Sequence, residues 1–272
     1  MKKVILVLSV FFSLVLLAGC KTTSEDVLVV GMEADYAPFN WMETTKSSEY
    51  ATKIDGQPGY ADGFDVVIAR YIAEKLGKKL VIKAIDWDGL IVSLNNGSID
   101  LIIAGMSPTK PRQLEVNFSN YYYRSENAII VRKDSPYASA TKLSDFAGAK
   151  VIAQKDTIQD DDDIYDQLVG SIRQTPLGSY AEITQSILSR VSDAFLAEMP
   201  VAKAVIASQP SLMYLTFEEG NGFEIAEENL QIAVALRKTD TDLLTQINSI
   251  LATITDEQRE KWMMGALERQ QN

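Results

Sequence analysis

Apolar runs and helical spacings alternate along the first half of the chain. "VLVVGM" (27–32), "KLVIKAI" (79–85) and "IDLIIAGM" (99–106) are runs typical of buried strands. A segment with helical apolar spacing follows the first run; Asp65 can cap its start and Gly77 can end it. A second, shorter helical segment precedes the third run. This β-α-β-α-β order predicts a parallel sheet with right-handed crossovers.

The same alternation starts again after about residue 127, which predicts a second α/β unit. Its strand candidates and the final strand are 128–133, 149–154, 173–177, 192–197, 211–215 and 230–238. Helical stretches lie around 160–169, 180–190 and 199–208, and a last helix contains Leu243, Leu244, Ile247, Ile250, Leu251 and Ile254. The polar stretch 43–62 is rich in turn formers and is predicted to be a surface excursion.

The start of the chain predicts export. Two lysines precede an apolar run, and "LAGC" (17–20) follows it, so residues 1–19 are predicted to be a signal peptide. Cys20 resembles a lipobox cysteine, whose sulfur carries a diacylglyceryl group, and residues 20–25 would then form a tether. The alternative is a plain signal peptide with an incidental cysteine. The lipoprotein interpretation predicts a location at the cell membrane, lipid-anchored on the extracytoplasmic face.

Composition excludes several classes of function. The chain has 272 residues with 46% apolar residues, enough for a sizeable core. Its net charge of −11 disfavours nucleic acid as a partner, and the absence of histidine removes Ser-His-Asp catalysis and His-ligated metals. The acidic run 160–163 lacks the spacing of a calcium loop and suits a helix N-terminus instead. No metal and no cofactor are predicted.

Polar and charged residues follow several predicted strands, where open α/β sheets bind ligands. The loop "AGMSPTKPR" (104–112) combines Gly105, which allows close approach of a ligand, with hydroxyls and with Arg112. A guanidinium matches a carboxylate in two parallel hydrogen bonds, so the loop is predicted to receive the carboxylate of a small molecule. The alternative is a surface loop with a solvated arginine. Glu33 and Glu198 follow two other predicted strands.

Longer stretches resemble a known family. They are "YAPFNW", "GFDVVIARYIAEKLGKK", "DWDGLIVSLNNGSIDLIIAGMSPTKPRQLEVNFSNYYY", "AKVIAQKDTIQD", "SDAFLAEMPVA" and "IAVALRK". With them the chain resembles extracellular solute-binding protein family 3, the polar amino-acid receptors of ABC importers, over nearly the whole mature chain. One departure from the family pattern is Asp156, where a glycine usually precedes the threonine.

The resemblance implies a fold and its boundaries. The expected fold class is α/β, the two-lobe periplasmic-binding-protein type II (Venus-flytrap) fold with two crossover hinge strands. The implied boundaries are 26–121 and 232–272 for lobe 1, 127–226 for lobe 2, and 122–126 and 227–231 for the hinge.

The resemblance also implies how the main-chain end of an amino acid would be held. Arg112 would pair with the α-carboxylate, Ser107 would add its hydroxyl and amide, and Thr157 would reach the same group from the second lobe. Glu198 stands where the family usually has aspartate and would pair with the α-ammonium. Gly105 would accept a hydrogen bond from that ammonium through its carbonyl oxygen.

Other matching positions concern the ligand side chain. Tyr36 and Phe64 match the family's aromatic walls, which suit a flat or cationic group; the alternative is that both rings belong to the core. Glu33 matches the position where relatives for cationic amino acids and for glutamine carry an aspartate. It could instead be a solvated loop residue. Trp87 is predicted to pack rather than to contact the ligand.

The implied function is that of an extracytoplasmic substrate-binding lipoprotein. It would capture a polar and preferably cationic L-amino acid, with arginine, lysine and ornithine ahead of glutamine, histidine, cystine or a small peptide. The implied partners are ABC permease subunits with a cytoplasmic ATPase, and the protein is expected to be a monomer. One rival is an enzyme of the same fold, such as a cyclohexadienyl dehydratase, with Glu33 or Glu198 as the acid. Another is a sensory or adhesive lipoprotein.

Overall fold

The structure is a computed structural model, and it describes residues 26–270. The predicted signal peptide (1–19), the predicted lipidation site Cys20 and the tether (20–25) lie outside the described residues. Within 26–270, no helix is both long enough and apolar enough to cross a membrane.

The described residues alternate between strands and helices. The strands are β1 (Val27–Met32), β2 (Asp35–Tyr36), β3 (Asn40–Glu43), β4 (Thr52–Lys53), β5 (Tyr60–Asp62), β6 (Lys79–Ala84), β7 (Leu101–Ile102), β8 (Asn117–Arg124), β9 (Asn127–Arg132), β10 (Lys150–Ile152), β11 (Ile172–Arg173), β12 (Ala194–Glu198), β13 (Leu212–Leu215) and β14 (Gln231–Leu236). The helices are α1 (Phe64–Lys75), α2 (Leu90–Asn95), α3 (Lys110–Glu115), α4 (Asp162–Tyr165), α5 (Tyr180–Leu188), α6 (Met199–Ser208), α7 (Glu227–Leu230), α8 (Thr241–Leu251) and α9 (Asp256–Gln270).

The first lobe is built on a five-stranded sheet in the order β6-β1-β7-β14-β8. β1 pairs parallel with both β6 and β7, which confirms the predicted parallel arrangement. β14 arrives from the end of the chain and pairs antiparallel with β7 and β8. The strand predicted over 99–106 is shorter, because the chain turns at Gly105 with a φ of 65° and leaves the sheet.

The second lobe repeats this plan with the order β11-β10-β12-β9-β13. β10 pairs parallel with β11 and β12, whereas β9 runs antiparallel to β12 and β13. The carboxyl end of β7 leads into a loop, whereas β12 runs directly into α6, and both strand ends lie at the boundary between the lobes.

Helix α1 starts differently from the sequence prediction. Asp65 does not cap the helix, because Gly63 is the N-cap residue and Asp65 lies within the first turn. Its carboxylate is fully buried and accepts hydrogen bonds from Asn40 Nδ2 (2.8 Å) and from the Tyr122 hydroxyl (2.7 Å). The predicted end at Gly77 is confirmed, since that residue is left-handed with a φ of 67°.

The stretch predicted as a surface excursion, 43–62, contributes β4 and β5 to a small antiparallel sheet in the order β2-β3-β5-β4. The C-terminal helix α9 holds it in place. Arg269 donates to Asp62 from Nη2 (2.9 Å) and from Nε (3.1 Å), and its guanidinium carbon lies 4.8 Å from the centre of the Tyr50 ring. Asp62 is completely buried, so this ion pair joins the excursion firmly to lobe 1.

Two chain crossings join the lobes side by side. The first is the short link between β8 and β9, and the second passes through α7 before β14 begins. The Ser125 amide donates to the Leu230 carbonyl oxygen (3.0 Å), and Arg124 donates to both carboxylate oxygens of Glu227 (2.9 and 3.1 Å). The crossings coincide closely with the predicted hinge segments, whose hinge role stays a prediction.

Candidate ligand-binding site

A small cavity lies between the two lobes, where the carboxyl ends of several strands meet. Its water-accessible volume is about 10 Å³, roughly enough for one water molecule. Its lining residues are Glu33, Tyr36, Trp87, Gly105, Ser107, Arg112, Gln154, Thr157, Ile158, Gln159, Tyr180 and Glu198. All the predicted ligand-contact residues except Phe64 are in this set, and they lie at or after the carboxyl ends of β1, β7, β10 and β12.

Arg112 lies in the first turn of α3, which Thr109 caps through its hydroxyl. Within lobe 1, Nη1 of the guanidinium donates to the Ser107 carbonyl oxygen (3.0 Å). Nη2 reaches lobe 2, where it donates to the Asp156 carbonyl oxygen (2.9 Å). Burial lowers the pKa of Arg112 to about 10, partly offset by nearby carboxylates, so the group stays cationic at neutral pH. A carboxylate would be a stronger acceptor than these neutral carbonyls.

Glu198 lies at the end of β12 in the opposite lobe and is buried. One carboxylate oxygen accepts a short hydrogen bond from the Tyr36 hydroxyl and a longer one from the Tyr180 hydroxyl (3.5 Å). Burial raises the pKa of Glu198, while these hydrogen bonds oppose the shift. Because both donors are neutral, a cation in the cavity would stabilise the ionised form further.

Glu33 occupies another edge of the cavity, directly after β1. Its carboxylate accepts a hydrogen bond from Gln154 Nε2 (2.8 Å), which also donates to the Gly178 carbonyl oxygen (2.9 Å). Burial, together with the charges of Asp35 and Asp86, raises the pKa of Glu33 to about 7. A positively charged group placed here would hold Glu33 in its ionised form.

The aromatic environment differs from the prediction at one position. Tyr36 is stacked between two rings, with centroid distances of 5.0 Å to Phe39 and 5.2 Å to Tyr180. The prediction that Phe64 forms a wall of the site is wrong. Its ring is fully buried in the core of lobe 1, 5.2 Å from the Tyr123 ring, and it does not line the cavity. Phe64 opens α1 and points into the core, a direction that the sequence motif does not specify.

Trp87 lines the cavity, contrary to the packing role predicted for it. Its indole Nε1 donates to the Asp156 carbonyl oxygen (3.1 Å), and its ring centre lies 5.1 Å from the guanidinium carbon of Arg112. The sequence did contain a usable signal, because Trp87 closely follows strand β6 at the edge where ligands bind. Gln154, Gln159 and Tyr180 were also missed. Gln154 has the same signal, because it closely follows strand β10, whereas Gln159 and Tyr180 lie further from a strand end.

Asp156 shows why a glycine is usual at its position. Its φ is 60°, in the left-handed region that most residues avoid and that aspartate tolerates better than most. This turn presents the Asp156 carbonyl oxygen to Arg112 and Trp87. Thr157 follows with a buried hydroxyl that donates to the Gln154 carbonyl oxygen (2.7 Å). On the other lobe, the Ser107 hydroxyl donates to the Asn229 carbonyl oxygen (3.1 Å).

Comparison with known proteins identifies the family of this chain. The model of the bacterial extracellular solute-binding proteins, family 3, matches residues 28–264. The chain belongs to this family. It is 28% identical over 243 residues to the arginine-binding extracellular protein ArtP of Bacillus subtilis (strain 168), covering 88% of this chain and 86% of ArtP.

Solved structures of similar shape also bind amino acids. The amino acid ABC transporter substrate-binding protein AbpA from Streptococcus pneumoniae Canada MDR_19A, bound to L-arginine, has a TM-score of 0.76 and 27% identity, over 92% of this solute-binding chain and 98% of AbpA. An ancestral arginine-binding protein bound to glutamine has a TM-score of 0.70 and 29% identity, over 86% of this chain and 95% of that protein. The two-lobe fold expected from the sequence is thereby confirmed.

Proposed function

We propose that this protein captures a cationic L-amino acid, foremost L-arginine, between its lobes and delivers it to the permease of an ABC importer with a cytoplasmic ATPase. The observation that carries the proposal is the position of Arg112 and Glu198, which come from opposite lobes and line one cavity. The arginine-bound and arginine-binding relatives support the choice of ligand.

The α-carboxylate of the ligand would bind at Arg112. The guanidinium would exchange its bonds to neutral carbonyl oxygens for bonds to a carboxylate, and such charge-assisted bonds are shorter and stronger. Ser107 from lobe 1 and Thr157 from lobe 2 both line the cavity and would add hydroxyl or amide donors. The carboxylate would thus be bound from both lobes.

The α-ammonium would bind at Glu198, with the Gly105 carbonyl oxygen as a second acceptor. A buried carboxylate and a buried ammonium each carry a large desolvation penalty unless they are paired. The ligand would provide the missing cation for Glu198, whose hydrogen bonds here come from Tyr36 and Tyr180. Binding would therefore compensate both charges together.

The ligand side chain would extend toward Glu33. A guanidinium or ammonium there would pair with the carboxylate and lie near Trp87, whose aromatic ring also lines the cavity and favours cations. A glutamate or aspartate ligand would meet like charge and be rejected. Glutamine, histidine and cystine remain the alternatives, since a neutral polar side chain could also hydrogen-bond to Glu33 or Gln154.

Ligand capture would be coupled to closure of the lobes. An amino acid held by Arg112 of lobe 1 and Glu198 of lobe 2 contacts both lobes only when they are closed. The ligand therefore favours the closed form by its differential affinity for it. A binding role, rather than catalysis, is part of this proposal.

Isothermal titration calorimetry with a panel of amino acids tests the function. The chain without residues 1–25 is expected to bind L-arginine, and Arg112→Ala should weaken that binding at least 100-fold, because a buried carboxylate loses its cation. Lys110→Ala provides a matched control, since Lys110 lies on the same helix but is exposed. Wild-type protein that binds none of the panel, or Arg112→Ala protein that binds normally, would disprove the proposal.

The membrane anchor at Cys20 belongs to the same proposal. Lipid attached to this cysteine would hold a monomeric protein close to the permease. Fractionation of cells expressing Cys20→Ser should move the protein from the membrane to the soluble extracytoplasmic fraction. Unchanged membrane association would argue against lipid attachment there.

A further inference from the structure

Asp65 is a fully buried carboxylate behind the cavity and does not line it. Its side chain accepts one hydrogen bond from Asn40 Nδ2 (2.8 Å) and one from the Tyr122 hydroxyl (2.7 Å). Asn40 and Tyr122 are themselves fully buried. Burial raises the pKa of Asp65 to about 6, and these two donors together with the Gly105 amide oppose the shift.

One arm of this network reaches the loop after β1. The Ala34 amide donates to Asn40 Oδ1 (2.6 Å). Ala34 is left-handed with a φ of 59°, an unfavourable conformation for a residue with a Cβ atom. Glu33 before it and Tyr36 two positions after it line the cavity. The Asn40 amide therefore helps to hold a strained turn whose flanking side chains form the binding wall.

The other arm reaches the loop after β7. The Gly105 amide donates to the Tyr122 hydroxyl oxygen (3.2 Å), and Gly105 is also left-handed with a φ of 65°. A Cβ atom at Gly105 would lie 2.5 Å from Cε1 of Tyr36, so the two loops are in direct contact here. Ser107 and Arg112 follow on the same loop.

We propose that Asp65 is a positioning residue for ligand binding, which holds both cavity loops of lobe 1 in the conformation that receives the ligand. Two loops distant in the sequence converge on this one carboxylate through Asn40 and Tyr122. In the ligand-free protein, the network keeps Glu33 and Arg112 at a set separation before closure. The inference rests on the proposed function for its effect on affinity, although the loop positioning itself needs no ligand.

The donor pattern distinguishes this role from simple charge burial. In Asp65→Asn, the new amide group would face either the Asn40 amide or the Tyr122 hydroxyl, so one donor loses its acceptor. In the double variant Asn40→Asp with Asp65→Asn, every pair is complementary again. The new carboxylate at position 40 would accept from the Ala34 amide and from the new side-chain amide at position 65. The amide oxygen at position 65 would in turn accept from the Tyr122 hydroxyl, so the charge has only moved from one residue to its partner.

The first measurement is hydrogen exchange of single amides in the ligand-free protein. Asp65→Asn is expected to accelerate exchange at both Ala34 and Gly105 by about 10- to 100-fold, and the double variant should restore most of the protection. Tyr122→Phe should accelerate exchange at Gly105 alone. Asp100→Asn provides the matched control, because Asp100 accepts from the Val29 amide (3.0 Å) at the opposite end of the same sheet.

The second measurement is calorimetry with L-arginine. Asp65→Asn should weaken binding by about 10- to 100-fold, the double variant should recover it, and Asp100→Asn should bind as the wild type does. Unchanged exchange at Ala34 and Gly105 in Asp65→Asn and Tyr122→Phe would overturn the inference, as would equal losses in Asp65→Asn and Asp100→Asn. If the wild type itself binds none of the amino acids of the panel, the proposed function is wrong, and the exchange data still decide the role of Asp65.

Discussion

At the scale of single residues, the role proposed for Glu33 would connect ligand choice with pH. Its pKa of about 7 lies well above the 4.5 of an exposed glutamate, chiefly because of burial. The folded protein therefore holds a proton on Glu33 more tightly than the unfolded chain does. The contribution of this group to stability is complete below about pH 4.5 and is lost as the pH rises through 7.

Glu33→Gln is expected to separate stability from binding. At pH 8 the substitution should raise the melting temperature of the ligand-free protein by about 2–4 °C, whereas at pH 4.5 the two proteins should agree. The same variant should bind L-arginine about 10- to 100-fold more weakly at pH 8. Scanning calorimetry and titration calorimetry measure the two effects.

The wild type should show the corresponding pH dependence in binding. A proton on Glu33 competes with the ligand cation, so the affinity for L-arginine should fall by up to about tenfold per pH unit below pH 7. In Glu33→Gln this dependence should disappear. Equal affinity of the wild type at pH 5.5 and pH 8 would show that Glu33 does not contact the ligand cation.

At the scale of secondary-structure elements, each lobe has one arginine that links neighbouring elements at the end of its sheet away from the cavity. In lobe 1, Arg237 follows β14 and donates to the carbonyl oxygens of Leu94 (3.3 Å) and Ile99 (2.6 Å). It also contacts the carboxylate of Asp100 (3.4 Å), the residue before β7. One arginine thus links the end of α2, the next loop and the next strand.

In lobe 2, Arg132 at the end of β9 does the same. Its Nη1 donates to the carbonyl oxygens of Ile187 and Ser192, both at 2.9 Å, and Nη2 contacts the carboxylate of Asp193 (3.4 Å). Asp193 precedes β12, as Asp100 precedes β7. Each arginine stabilises the connection between a helix and the next strand, and the far end of that strand leads to the cavity.

Arg132→Met should therefore destabilise the protein without altering the site. Two buried carbonyl oxygens would lose their donor, which should lower the melting temperature by about 5–10 °C. The affinity for L-arginine should change less than about threefold, because Glu198 lies at the other end of β12. Arg190→Met is the control, since its ion pair with Asp134 is exposed and should contribute little. Equal melting temperatures for the two variants would contradict this account.

The helices show which sequence patterns could be interpreted. The helical spacing ahead of Gly77 correctly predicted α1, while α9 over Asp256–Gln270 was not predicted because charged residues interrupt its apolar pattern. A start signal was nevertheless present. The Thr255 hydroxyl accepts a hydrogen bond from the Gln258 amide (3.2 Å), and two acidic residues follow Thr255 in the first turn.

At the scale of the whole molecule, the described residues adopt a closed arrangement of lobes. Segment 154–157 of lobe 2 meets lobe 1 through Gln154 with Glu33 and through the Asp156 carbonyl oxygen with Arg112. Such contacts form only because segments that are distant in the sequence come together in the folded protein. Strand ends and family motifs could predict Arg112, Glu198 and Glu33, but they do not show that Gln154 meets Glu33 or that the Asp156 carbonyl oxygen meets Arg112.

Trp87 should report closure of the molecule by its fluorescence. It is one of three tryptophans, and it donates across the lobe boundary to Asp156, whereas Trp41 lies in β3 and Trp262 packs beside Tyr71, both in lobe 1. L-Arginine is expected to change the emission of the wild type, and Trp87→Phe should remove most of that change. Trp262→Phe should keep it. A full response in Trp87→Phe would place closure elsewhere.

The ion pair between Arg269 and Asp62 limits how the protein can be engineered. Any shortening that removes Arg269 would leave the buried carboxylate of Asp62, at the end of β5, without its cation. A buried charge without a partner is strongly unfavourable. Expression designs should therefore keep the chain through Arg269 and attach purification tags beyond it through a flexible spacer. A tag that strains the last turn of α9 would disturb the contact between Arg269 and the Tyr50 ring, some two hundred positions earlier in the chain.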